Sequence, residues 1–439
     1  MSDPLSRVAQ LLRRAQMGLV VAALLGSTRA AFADEPIARG EPAVMREPSE
    51  VVDVIDAFDG DDPIDVVAGL RFELDVEGAT LAREAGDTTE ARASWSRVTS
   101  RLVPMLSVGL YKDFALTAEL PLVLSRSSSV DAANASSTAL VPGADPVATL
   151  PISAPERSGV ERLSLGLAKG ILNQARDRDF PTWMVAAEAR IDVSAPRHAC
   201  TDAPAEGQVE CADPADRNRD GKRDAGEPAL EPDLESGIGR GTLEIAIRTA
   251  ISRRVRFFEP YGMFETTFEV PVGKSPLTDA LAASTDAGLP VRGTLSLGMS
   301  FIPWENRERF ARIAFDTRLL GGFVTRGLET TELFDALGSS PSASLRAPNP
   351  SADGDVYESG VTVAAAHGVI GARGAFSWRA SQIIRLGVAA SLRHRIAYRI
   401  TDADPSDPSY RPEIDAVGSR FLVEGAYRFT VSAEGAVLF

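Results

Sequence analysis

The sequence predicts an all-β chain: a transmembrane, antiparallel, up-and-down β-barrel of about twelve strands with long extracellular loops. Three observations predict it. Apolar residues recur at every second position through segments of about ten residues, the period of a strand with lipid on one face and water on the other. The connections between these segments alternate short and long, as they do when tight turns occupy one barrel end and loops the other. An export signal comes first, and nothing after it supplies the uncharged run of about 18 apolar residues that a membrane-spanning helix needs. A chain that enters a bilayer without such a helix must do so as a closed barrel.

At the start of the chain, Arg7, Arg13 and Arg14 precede an apolar run from Met17 to Gly26. Ala31-Phe32-Ala33 then gives the small-x-small pattern of a signal-peptidase site. Residues 1–33 therefore read as a removed signal peptide. The apolar run is too short to cross a bilayer roughly 30 Å thick as a helix. Arg13-Arg14 invites a twin-arginine reading, but the residue types expected around that pair are missing, and general secretion suits a barrel that crosses the inner membrane unfolded. The net charge of the whole chain, −15, becomes −18 once four Arg and one Asp leave with the signal. That acidity argues against nucleic acid or an anionic inner-leaflet surface as partner.

Residues 34–64 are acidic and contain proline, with Val51–Asp56 as an apolar-acidic patch and Asp59-Gly60-Asp61-Asp62 after it. They read either as a periplasmic lead or as a lumen plug, and residues 65–439 as the barrel.

The first strand sets Val66, Ala68, Leu70, Phe72, Leu74 and Val76 against Arg71, Glu73, Asp75 and Glu77. Phe114 to Leu124 repeats the pattern around Thr117 and Glu119, and Trp183 to Val193 repeats it around Glu188, Arg190 and Asp192. Leu243 to Ile251 and Val291 to Phe301 follow. Late in the chain, Ile384, Leu386, Val388, Ala390, Leu392, Ile396, Tyr398 and Ile400 oppose Arg385, Arg393, Arg395 and Arg399. The last strand runs from Arg420 to Phe439, with Phe421, Val423, Gly425, Tyr427 and Phe429 read as one face and Arg420 and Arg428 on the other. A helix would bring polar and apolar positions together every three or four residues, so this period excludes one.

Short connections lie near Lys112-Asp113, 174–181, 253–260, 305–309 and 377–381. Long ones are expected at 78–94, 127–158, 196–239, 275–290, 328–355 and 402–416, rich in Ser, Ala, Pro, Asp and Gly. Five short and six long connections join twelve strands; ten or fourteen remain compatible with the boundaries.

A signal peptide, alternating strands and a terminal Phe439 together resemble bacterial outer-membrane proteins. The resemblance implies a cell outer-membrane location, contact with outer-membrane lipid, and Phe439 as the tag read by the barrel assembly machinery. More narrowly, Leu163-Ser-Leu-Gly-Leu, the turn Asn173-Gln-Ala-Arg-Asp-Arg-Asp and Pro181-Thr-Trp183 resemble transporter barrels of the group associated with the meta pathway of phenol degradation, over about 35 residues.

In the loop expected at 196–239, Asp216-Arg-Asn218-Arg-Asp220-Gly221-Lys222-Arg-Asp224-Ala-Gly-Glu227 has the spacing of a calcium loop. Its resemblance to EF-hand loops implies Ca2+ held by Asp216, Asn218, Asp220, Glu227, the Lys222 carbonyl and Asp224 through water. Arg223 stands where an aliphatic residue is usual, and Pro214 and Pro228 crowd the flanks; the alternative is a solvated acidic loop. Cys200 and Cys211, the two cysteines of the chain, read as a disulfide in an oxidising compartment. Closing that loop of about ten residues stabilises it by roughly 2–3 kcal/mol.

Catalysis is not expected, because His198, His367 and His394 lack the companions a hydrolytic site requires. The lumen parity instead offers Glu73, Asp75 and Glu77 facing Arg385, Arg393, Arg395, Arg399, Arg420 and Arg428. These are read either as charge pairs that satisfy one another or as a selectivity wall. The expected function is an outer-membrane pore or passive transporter for small solutes. The alternative is a structural or adhesive surface barrel with a plugged lumen and a calcium-stabilised loop.

Overall fold

The computed structural model describes residues 66–85, 88–110, 113–144, 146–174, 179–199, 237–284, 287–340, 347–348, 355–356, 360–381, 383–400 and 421–438. Among them, twelve strands form the barrel wall. They are β1 (Val66–Ala85), β2 (Thr88–Leu110), β3 (Phe114–Glu119 continued by Leu122–Ala132), β4 (Arg157–Val160 continued by Arg162–Leu172), β5 (Thr182–Asp192) and β6 (Thr242–Ser252), then β7 (Phe258–Pro271), β8 (Arg292–Asn306), β9 (Ala311–Val324), β10 (His367–Arg379), β11 (Ile384–Arg395) and β12 (Phe421–Leu438). Each pairs antiparallel with the next, and β12 returns to β1 from Val67↔Leu438 to Arg83↔Phe421. Closure leaves no open edge, the condition hydrocarbon imposes on backbone N–H and C=O groups.

Alternation then decides which side chains meet lipid. Outward-pointing Leu319 is 69% exposed and Leu297 57%, and Leu70, Phe72, Leu167, Ile247, Phe264 and Ile370 are exposed with them. So wide an apolar belt is tolerated only against hydrocarbon. Trp183, Trp378 and the stacked rings of Phe258 and Phe301, 5.1 Å apart, mark its edge at the turn end. There Lys169 lays its stem along the wall, with Nζ 4.4 Å from the Phe114 ring centre. Toward the long-loop end the outward positions of β2 and β3 become Ser94, Ser96, Ser127 and Ser129, and Ser96 Oγ lies 3.1 Å from Ser129 Oγ. The ribbon of β1–β3 thus rises out of the apolar belt. The chain is a transmembrane β-barrel.

Several sequence expectations change. The long connection expected at 78–94 is strand: β1 continues to Ala85 and β2 begins at Thr88. Its outward residues are polar because this ribbon stands above the belt, so the apolar-polar contrast that marks the other strands is lost. Phe421 and Val423 do not share a face with Tyr427 and Phe429. Gly425 has φ +60°, and the register slips there against Gly78 and Thr80 of β1. This bulge turns Phe421 and Val423 inward, where both are fully buried. Likewise Tyr398 and Ile400 leave the lipid face, because β11 ends at Arg395 and the chain bends before Tyr398–Arg399 pairs with β12. The expected long loops at 127–158 and 328–355 contain folded structure: an Ala139–Val141/Val147–Thr149 hairpin and a short helix, Phe334–Gly338. The segment 275–290 carries α1 (Pro276–Ala283), capped by Ser275; Phe334–Gly338 is α2.

Candidate functional site

The lumen face is lined by arginines and carboxylates. Where the first and last strands meet, Asp75 is fully buried and accepts from Arg428 Nη2 at 2.6 Å, from Thr430 Oγ1 at 2.5 Å and from Arg101. Arg101 also donates to Glu161 at 3.0 Å, and Arg126 to the same carboxylate at 2.6 Å. Glu77 is held by Arg97 at 2.8 Å and lies 3.7 Å from Arg428. This relay crosses from β12 to β4, because parity puts every second residue of each strand on the lumen face at one height. In so weakly hydrated a place a carboxylate stays charged only with several donors around it. Nearer the turn end Arg71 binds Glu73 at 2.7 Å and Glu119 at 3.4 Å, while Arg385 binds Glu434 at 3.2 Å. Around β5–β7, Arg190 gathers Glu188, Glu244 and Glu265.

The adjoining sector, β9–β12, is basic. Its lumen face carries two carboxylates, Asp316 and Glu434, against a larger number of arginines. Asp316 accepts from Tyr261 Oη at 2.8 Å and Ser300 Oγ at 3.0 Å, with Arg318 Nε 3.5 Å away. Gly298 makes that possible, since a Cβ there would lie 2.4 Å from the Tyr261 ring. On the outer side of the same strands lies a groove of about 710 Å³, bounded by Leu297, Met299, Leu319, Leu392 and Phe429 over small residues such as Gly374 and Ala390. Its predominantly outward-pointing lining suits hydrocarbon.

Folded loops cover the lumen at the long-loop end. The loop between β9 and β10 forms a small sheet, Gly327–Glu329 with Thr362–Ala364, and then α2, whose Phe334, Asp335, Ala336 and Leu337 are all buried. Leu333, Ala336 and Leu337 pack with Leu81, Trp95 and Val130 of the wall, with the inward-turned Tyr398, Ile400, Phe421 and Val423, and with Leu140 and Val147 of the hairpin. Two polar anchors fix this cap. Asp335 binds Arg157 at 2.7 Å, Arg197 at 2.9 Å and Ser128 Oγ at 2.9 Å. Burial alone would raise its carboxyl pKa, but the two guanidinium groups bring it down to about 2. Glu332 accepts from Arg395 and from Tyr398 Oη at 2.9 Å, and His367 stacks on Tyr398 with ring centres 4.0 Å apart.

Of the lumen residues named from sequence, Asp75, Glu77 and Arg428 meet at the seam, Glu73 pairs with Arg71, Arg385 with Glu434, and Arg395 with the cap through Glu332. Arg393 is exposed on the lumen side. Arg399 is a correction: the bend after Arg395 shifts parity, so Tyr398 faces in and Arg399 faces away from the lumen, exposed. Arg420, Phe439, Cys200, Cys211, the loop 216–227 and the segments 1–33 and 34–64 lie outside the described residues. Sequence reasoning missed Arg101, Glu161 and Arg126, although the alternation of β2 carries the signal. It also missed Asp335, Arg157 and Arg197, which come together only through tertiary folding.

No family model matches the chain, and no curated protein matches it. Solved structures similar to it include an outer-membrane channel from Pseudomonas putida F1 (10% identity, 88% of this chain and 100% of that one, TM-score 0.38). Others are a Pseudomonas aeruginosa FadL homologue (11%, 86% and 90%, 0.31) and the P. putida toluene transporter TodX (9%, 91% and 94%, 0.31).

Proposed function

We propose that this barrel is a passive pore for small solutes, which move between its acidic sector on β1 and β5–β7 and its basic sector on β9–β12. The observation that carries the reading is the lumen face itself. A barrel serving only as a scaffold gains more from an apolar filling than from charges whose desolvation must be offset, whereas a water-filled path needs polar walls. No nucleotide-binding loop or other energy-coupling motif occurs in the sequence, so diffusion supplies the driving force. Access from the long-loop end is set by α2 and its anchors.

The test is single-channel recording in a planar bilayer. Discrete steps whose ion selectivity shifts toward cations on Arg393→Glu are expected; a silent protein under every voltage would refute the pore. On sequence grounds alone, we further propose that 216–227 binds Ca2+ in a loop tied by Cys200–Cys211. Terbium luminescence abolished by Glu227→Gln is the expected result, and its persistence would count against the site.

A further inference from the structure

We propose that the lumen face of β9–β12 holds a binding site for a small carboxylate anion, gripped by Arg373 and Arg393. The inference rests on the pore reading and names its solute class. Four arginines stand on four adjacent strands: Arg318 directly opposite Arg373, and Arg393 directly opposite Arg428. Arg373 and Arg393 are diagonal neighbours, since Arg373 faces Ser391 and Arg393 faces Gly371. Like charges at opposed positions repel and destabilise a sheet unless something compensates them.

Two of the four are compensated within the wall, Arg428 by Asp75 and Arg318 by Asp316. Arg373 and Arg393 make no hydrogen bond or ion pair among the described residues. The carboxylates within electrostatic reach are Asp316 for Arg373, and Asp75 and Glu265 for Arg393. Each already serves another cation or donor: Asp316 accepts from Tyr261 and Ser300 through Oδ2 while its Oδ1 lies 3.5 Å from Arg318 Nε, Asp75 accepts from Arg101, Arg428 and Thr430, and Glu265 pairs with Arg190 at 3.6 Å. Charge is therefore left over on this side of the lumen.

The neighbouring lumen-facing positions are small. On β10 and β11 these are Gly371, Ala375, Ala389 and Ser391. One more buried hydroxyl on the same face lacks a hydrogen-bond partner: Ser296 Oγ, in the cross-strand row Ser296↔Leu320↔Gly371↔Arg393. A planar pair of oxygens matches guanidinium forks in a way a spherical ion does not, which selects a carboxylate.

The test uses the full-length protein in detergent, titrated calorimetrically with sodium benzoate, and the same protein in planar bilayers. Saturable benzoate binding is expected, weakened about tenfold by Arg373→Gln or Arg393→Gln and lost in the double variant, since each substitution removes a charge-assisted contact. Both substitutions relieve like-charge repulsion, so the variants keep the compact electrophoretic mobility of the folded barrel. Benzoate is also expected to reduce chloride current through wild-type channels. No saturable binding in the wild type, or equal affinity in the double variant, overturns the site. Channel steps without benzoate binding would sink the site alone, and benzoate binding without channel steps would sink the pore reading and leave the site standing.

Discussion

Asp75 loses its water at the seam and stays ionised because Arg101, Arg428 and Thr430 all donate to it. Removing Arg428 leaves that buried charge with fewer donors and takes one of two guanidinium groups away from Glu77, which Arg97 still holds. Arg428→Leu is therefore expected to cost roughly 2–3 kcal/mol, read as a lower urea midpoint for the detergent-solubilised barrel. An unchanged midpoint would mean that the seam does not depend on this ion pair. The same bookkeeping explains why Arg393, which has no such partner, is the more informative residue for selectivity: its replacement changes the lumen field without orphaning a carboxylate.

At the scale of elements, the Gly425 bulge sorts β12 into two halves. Its lower half gives Tyr427 and Phe429 to lipid, and its upper half gives Phe421 and Val423 to the cap. No neighbouring atom lies within 4 Å of a Cβ built at Gly425, so its φ of +60° is the whole constraint. Gly425→Val is expected to cost about 1–2 kcal/mol from left-handed backbone strain, measured by the same denaturation; no loss would mean the bulge relaxes. The cap has its own signature in acid. Because the Asp335 carboxyl titrates near 2 when folded, below its ordinary value of 3.8, its stabilisation is complete above that ordinary value and is lost as the pH falls toward 2. The protection of the Leu333–Leu337 amides, relative to their intrinsic exchange rates, is thus expected to fall between pH 4 and pH 2, and to be low already at neutral pH in Asp335→Asn. Equal protection in both proteins would show that the apolar contacts suffice.

These two elements also explain what was legible in the sequence. Wherever a strand separates hydrocarbon from water, as from Leu70 to Glu77 or from Ile384 to Arg395, alternation reveals strand and facing together, and the meeting of Asp75 with Arg428 follows from closure. A bulge inverts the alternation across a single glycine, so Phe421 and Val423 before Gly425 face inward while Tyr427 and Phe429 after it face lipid, and the bend at Ile396 does the same for Tyr398 and Arg399; a strict two-residue period carries neither change. The cap was hidden for another reason. Its loops have the Ser, Ala and Pro composition of solvated connections, and Leu333 and Leu337 become core only when wall and hairpin residues from distant parts of the chain surround them.

For the molecule as a whole, the bilayer sets the terms. Leu319 sits mid-wall and is 69% exposed, so Leu319→Arg is expected to cost about 2–4 kcal/mol in lipid vesicles, the usual penalty for arginine at the midplane of a barrel's outer face. A loss well below 1 kcal/mol would put this part of the wall outside the hydrocarbon.

The ring itself constrains how the protein is made. Arg428 and Asp75 are separated by 353 residues along the chain, so the ladder that seals the cylinder joins an early-synthesised strand to a late one. Until β12 arrives, β1 offers an unpaired edge and the growing polypeptide has no self-sufficient state in lipid or water. Maturation is then governed by contacts of very long range, the slowest kind to form, and until they form the unclosed sheet exposes an edge prone to aggregation.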